Sequence, residues 1–205
     1  MTIKEFGGKV ASVWDGLRPV TKKMVAGAMR SNTSDATTSQ APKFYYDAHA
    51  DWEVSRLLSA LDEQSSTSET RLDTAKLDEI KELAETCARI LEAQSASAEV
   101  FIQLATRAIR ENDYRRLDRL ADTLAERYSS GEIAEIVRQT EMPQIRAIAY
   151  ETLALMPVEN IVPLLEDSLY SGIAAGALEQ KAFEFDSDEA RDVLEQYDAG
   201  LLGDA

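Results

Sequence analysis

Residues 136–149 read IVRQTEMPQIRAIA, flanked at a spacing of 28 by AIRENDYRRLDRLA at 108–121 and LLEDSLYSGIAAGA at 164–177. In that register Ala108 lines up with Ile136 and Leu164, Ile109 with Val137 and Leu165, and Tyr114 with Met142 and Tyr170. Leu117 matches Ile145 and Ile173, Ala121 matches Ala149 and Ala177, and Ala105, Ile133 and Ile161 extend the match upstream. Each copy holds an apolar stripe, a polar break and a second stripe, the pattern of two short helices joined by a turn. A period of this length means stacked helix pairs, because one pair cannot bury its apolar face alone and its neighbour must complete it.

Helical punctuation supports that reading on either side. Pro143 stands at a helix start, where its missing amide hydrogen costs nothing, and the spacing predicts a helix to about Leu155. Asp113 is placed to cap a helix over 113–128, Ser130 one over 131–140, and Ser187 and Asp188 one carrying Val193, Leu194 and Tyr197. Pro157 starts a helix with Ile161, Leu164 and Leu165 on its apolar face, and Ser171–Gly172 opens one that runs to Phe185. Upstream, helices are expected over 97–111, over 74–92 on a stripe from Leu77 to Leu91, and over 44–62 with Trp52, Leu57, Leu58 and Leu61. The polar run QSSTSETR at 64–71 reads as a break between the last two. No stretch alternates with the period of two that a half-buried strand requires, so the fold class is all-α.

Pro143, Ile145, Arg146, Ala149, Glu151 and Leu153 form a run that resembles the second helix of HEAT-like repeats, of the kind found in phycobilin-lyase-type solenoids. Ile173, Ala177 and Glu179 repeat part of it one period later, and the resemblance covers about residues 98–198. It implies an α-solenoid: a right-handed superhelical stack of antiparallel helix hairpins, with Ala149 and Ala177 letting paired helices approach closely. It also implies an elongated surface offered to a protein partner, and no lyase activity. Arg146 gives way to Asp118 and Ala174 in the neighbouring copies, and Leu153 to Lys181.

The 205 residues carry 37 acidic against 22 basic side chains, a net charge of -15. A phosphate backbone needs cationic contacts, so nucleic acid is not an expected partner of the body. Residues 1–30 have the opposite sign, with six Lys and Arg against Glu5 and Asp15. Within them Val10, Val13, Trp14 and Leu17 share one helical face, and Pro19 breaks the pattern before Val20, Met24, Val25 and Ala28 resume it. The run SNTSDATTSQAPK at 31–43 reads as a flexible polar tether spanning roughly 20 Å on average. The expected organisation is therefore a basic amphipathic segment at 1–30, a linker at 31–43, a helical-repeat domain at 44–198 and a frayed tail at 199–205.

That segment holds the best functional candidates: Val10, Val13, Trp14 and Leu17 as an apolar face, with Arg18, Lys22 and Lys23 beside it. Three uses fit the pattern: docking to a protein partner or larger assembly, lying on an anionic membrane surface, or capping the chain's own body. Tyr114, Met142 and Tyr170 form a second candidate, a recognition edge along the turns, with packing between neighbouring repeats as the alternative. Association of like chains into a homo-oligomer stays open.

Asp47, His49 and Asp51 invite a metal reading because carboxylate and imidazole are zinc ligands, but helical spacing lets only two of them share a face. An acid-rich helix start explains them without a metal. No nucleophile has a base partner in register, so no catalytic residue, metal or cofactor is expected. Cys87 lies in an apolar stripe and reads as a buried structural thiol, too solitary for an internal disulfide. No stretch is long and apolar enough to span a bilayer, and residues 1–30 lack the form of a secretory signal. The expectation is a cytoplasmic interaction or assembly subunit, with a peripheral membrane adaptor or a metal-dependent enzyme as alternatives.

Overall fold

A computed structural model of the chain describes residues 3–33, 46–68 and 74–200. Among these every regular element is helical and no strand occurs. The chain divides into two compact units, Met1–Ser95 and Ala96–Ala205. The basic segment therefore belongs to the same unit as the two helices that follow it. Residues 34–43 of the expected linker lie outside the described residues, and its first three are the end of a helix.

The first unit opens with a 3-10 turn, Ile3–Phe6, followed by α1 (Gly8–Gly16), α2 (Pro19–Thr33), α3 (Ala48–Ser68) and α4 (Thr74–Gln94). The break at Pro19 falls where the sequence puts it, with proline as the first residue of α2 and the Leu17 amide closing α1 on the Trp14 carbonyl. α3 packs along α4, α1 lies on α3, and α2 touches both α3 and α4. The core is made of Val54, Leu57, Leu58 and Leu61 from α3 and Ile80, Leu83, Cys87 and Leu91 from α4, closed by Phe6, Val10, Leu17, Met24 and Val25. Each such aliphatic or aromatic side chain contributes about 1.5–3 kcal/mol on burial.

α3 outruns its expected end at Asp62. Gln64–Ser68 stay helical, and the Ser66 and Thr67 hydroxyls donate to the carbonyls of Asp62 and Glu63 one turn back. Those bonds satisfy side chains that elsewhere compete with the helix.

The second unit comprises α5 (Ala98–Arg110), α6 (Tyr114–Arg127), α7 (Ser130–Gln139), α8 (Pro143–Leu155), α9 (Val158–Ile161), a 3-10 turn (Val162–Glu166), α10 (Ser171–Glu184) and α11 (Asp188–Asp198). Helices pair with their successors, α5 with α6, α7 with α8 and α10 with α11. They also contact elements two places on, α5 with α7, α6 with α8 and α8 with α10. One aligned set, Ala105, Ile133 and Ile161, is fully buried throughout, as are Ile145, Ala149 and Ala177, whereas their counterparts Ala121 and Ile173 are half-buried.

Local chemistry sets the joints of this unit. Asp113 accepts the Arg116 amide at 3.0 Å and Ser187 accepts that of Ala190 at 3.3 Å, both as expected caps. Ser129 rather than Ser130 caps α7, taking the Glu132 amide at 3.3 Å. The turn between α5 and α6 places Asn112 at φ 56, a left-handed position that asparagine tolerates, so that Asp113 can bond the Ala108 carbonyl. The helix expected from Pro157 is cut short: one α-turn gives way to the 3-10 turn at Pro163, which brings no amide hydrogen to an α-helical ladder.

Ala149 is fully buried on α8 while Ala147, two residues away, is exposed. Ala149→Leu should therefore overpack the unit and cost about 1–3 kcal/mol in urea unfolding. Ala147→Leu should change stability by less than about 0.5 kcal/mol.

Candidate functional site

The elbow between α1 and α2 is held by one residue from each side. Glu53 sits on the inner face of α3, 2 % exposed, and its carboxylate takes the Arg18 backbone amide at 2.6 Å and the Arg18 Nε at 2.9 Å. The Thr21 hydroxyl, from the first turn of α2, donates to the same carboxylate. The remaining edge of the guanidinium forks onto Asp47, with Nη2 at 2.7 Å and Nη1 at 3.0 Å from the two carboxylate oxygens. Asp47 is at the same time the cap of α3, accepting the Ala50 amide at 2.8 Å. A planar five-donor group matches two carboxylates in this way, which a lysine could not do.

The other end of α1 is fastened too. Lys9 pairs with Glu63, and Gly7 lies at φ 113 with the Gln64 side chain 2.5 Å from where a Cβ would stand. α1 thus runs antiparallel to α3.

This geometry accounts for the seven candidate anchoring residues. Val10 and Leu17 are buried, and Val13, Trp14 and Arg18 are half-buried. Lys22 reaches back to the Asp15 carbonyl at 3.0 Å, and Lys23 alone of the seven is exposed. Of the apolar face expected to meet a partner or a membrane, Val10 and Leu17 are taken into the core of their own unit, and Val13 and Trp14 are partly open.

Electrostatics follow from these bonds. Hydrogen bonding to Arg18, then to the Ala50 amide, holds the Asp47 carboxyl at about 2 against an ordinary 3.8. Burial by itself pushes Glu53 upward, but the bonds from Thr21 and from the Arg18 amide and guanidinium outweigh it and leave the group below the usual carboxylate range.

Asp47, His49 and Asp51 do not converge. Asp47 is taken by Arg18, Asp51 accepts the Tyr46 hydroxyl, and His49 meets the edge of Trp52 at 5.8 Å. The Arg56 guanidinium lies over the Trp52 ring, 4.5 Å from its centroid. Among the described residues no three His, Cys, Asp or Glu side chains surround a common point.

Two of the three turn residues, Met142 and Tyr170, behave as joints between helix pairs. Met142 Sδ accepts the Thr106 hydroxyl of α5 at 3.4 Å, and the Tyr170 hydroxyl donates to Glu135 Oε2 of α7 at 2.9 Å. Glu135 is also clamped by Arg138 and Gln139, and the Arg138 bond first of all draws its carboxyl down to about 2. Tyr114, the first of the three, is 61 % exposed.

A further set of residues escaped the sequence reading. Leu155 at the end of α8 is 58 % exposed and Phe183 near the end of α10 is 81 % exposed, with Phe185 beside it also open. Leu155 and Phe183 are one period apart, as are Glu151 and Glu179 and the alanines Ala147 and Ala175. Equivalent positions on two touching helices put the pairs on one face. Lys181 joins the helix ends by donating to the last-turn carbonyl of Ala154 at 3.1 Å. The signal was the period itself: large apolar residues recur outside the buried stripe.

No family model, curated protein or solved structure matches this chain. The site must be read from its own geometry.

Replacing Glu53 by Gln removes the charge that three donors share, and should cost about 2–3 kcal/mol in urea unfolding at neutral pH. Acid should act in the same direction on the native chain. Asp47 and Glu53 take up protons at lower pH in the folded state than in the unfolded one. Their contribution is therefore complete above about pH 4.5, declines as pH falls, and for Asp47 is gone below about 2. Urea midpoints measured from pH 7 to pH 2 should show this fall, and Glu53→Gln should show a shallower one.

Proposed function

We propose that the chain is a non-enzymatic interaction or assembly subunit, whose second unit is a short HEAT-like stack of helix hairpins that presents one outer face to a protein partner. The packing supports the stack: α5 pairs with α6, α7 with α8 and α10 with α11, α5 touches α7, α6 touches α8 and α8 touches α10, and aligned sets such as Ala105, Ile133 and Ile161 are buried. The observation that carries the functional reading is the pair Leu155 and Phe183, exposed at equivalent positions of two touching helices. Large apolar side chains gathered on one exposed face mark interaction sites more often than scattered ones do.

The basic segment serves this reading as a cap of the first unit. Its apolar side covers α3, and Arg18 is spent on Glu53 and Asp47. Binding a membrane through residues 1–30 would require breaking that clasp and exposing Val10 and Leu17. No helix among the described residues is long and apolar enough to cross a membrane.

Two measurements on the full chain test the proposal. Affinity purification from the native source should retain a protein partner at near-stoichiometric yield. Recovery of the chain alone contradicts it. In liposome sedimentation at low salt the chain should stay in the supernatant with anionic vesicles. Co-sedimentation that depends on residues 1–30 would favour the peripheral membrane adaptor instead.

A further inference from the structure

Resting on that reading, we infer that the face carrying Leu155 and Phe183 takes a cationic amphipathic segment of the partner, apolar on one side and lined with lysine or arginine. The apolar half of the argument is geometric. Leu155 and Phe183 stand at equivalent positions on α8 and α10, whose ends are tied by the Lys181 bond to Ala154, and Phe185 follows directly at the end of α10. An exposed aromatic ring beside an exposed leucine supplies the large apolar contact area that an anchor needs.

The charge half comes from what surrounds them. Residues 96–205 carry ten Lys and Arg against 22 Asp and Glu, a net charge of −12. From Ala147 to Gly200 only Lys181 and Arg191 oppose twelve acidic side chains. Both cations are already engaged, Lys181 on Ala154 and Arg191 on the Ala182 carbonyl with Asp186 and Asp188. Glu151 and Glu179, exposed one turn before Leu155 and Phe183, bring negative charge onto the same face. Such a field repels an anionic lipid surface and an acidic peptide, and it attracts a basic one. The chain's own basic segment does not fill the role, because Val10, Leu17 and Arg18 are committed within the first unit.

The test uses the full chain and three synthetic helical peptides in fluorescence anisotropy. One is a leucine/lysine amphipathic helix, the second replaces its leucines by serine at equal charge, and the third replaces its lysines by glutamate. The leucine/lysine peptide should bind with micromolar affinity and the other two should not saturate. The double variant Leu155→Ala with Phe183→Ala should weaken binding at least about tenfold. Because both side chains are exposed, its melting curve should match the native one. Glu151→Gln with Glu179→Gln should weaken binding and reduce its salt dependence, while Gln144→Ala, exposed at the opposite end of α8, should leave it unchanged.

Equal binding by the alanine variant, or equal binding of the serine or glutamate peptide, overturns the inference. Its failure is distinct from failure of the broader proposal. A native partner that remains bound to the Leu155→Ala, Phe183→Ala variant would leave the chain an interaction subunit with a different docking face.

Discussion

An apolar face that only a neighbour can cover is the constraint on which both units rest. In the second unit Ile133 and Ile136 on α7 and Ile145 and Ala149 on α8 are fully buried. Contacts between α5 and α7, α6 and α8, and α8 and α10 add to those within each pair. Small side chains at Ala149 and Ala177 sit at the centre of this packing, and turn residues such as Tyr170 and Met142 reach back to pin one pair on the one before.

The first unit meets the same constraint with different means. α3 and α4 make a pair, and the basic segment covers it, with Val10 and Leu17 supplying the apolar closure. What fixes the angle between α1 and α2 is polar. Glu53 is buried, and a buried carboxylate is costly unless its oxygens are paired. Arg18 and Thr21 meet that requirement from the elbow, and Asp47 holds the far edge of the guanidinium. The positive charge of the segment is thus in part an internal matter rather than an outward-facing property.

Much of this was legible in the sequence where the controlling forces are local. Pro19 and Pro143 mark helix starts, Asp113 and Ser187 mark caps, and the repeated Ala105, Ile133 and Ile161 mark the core. The reading failed where a local signal was overridden. Gln64–Ser68 are polar yet helical, with hydroxyls bonded back along the helix and Gln64 packed over Gly7. Pro163 was passed over, although it limits the α-helix after Pro157 to a single turn. The Arg18 clasp joins residues 29 and 35 positions apart, and no short-range pattern announces a pairing of that length. Leu155 and Phe183 follow the period but fall outside the buried stripe, so a search for core positions does not select them.

Together these arrangements leave the molecule with its amphipathic basic segment covered and an apolar, acid-flanked face uncovered. Hydroxyl-radical footprinting of the intact chain, read residue by residue by mass spectrometry, measures both halves of that statement at once. Phe183 and Phe185 should oxidise rapidly, while Phe6 in the basic segment and Phe101 in the core of the second unit stay protected, in line with exposures of 81 %, 44 %, 2 % and 1 %. Phe6 reacting as fast as Phe183 would mean that the basic segment does not cover α3. A protected Phe183 would mean that the outer face is not open to a partner.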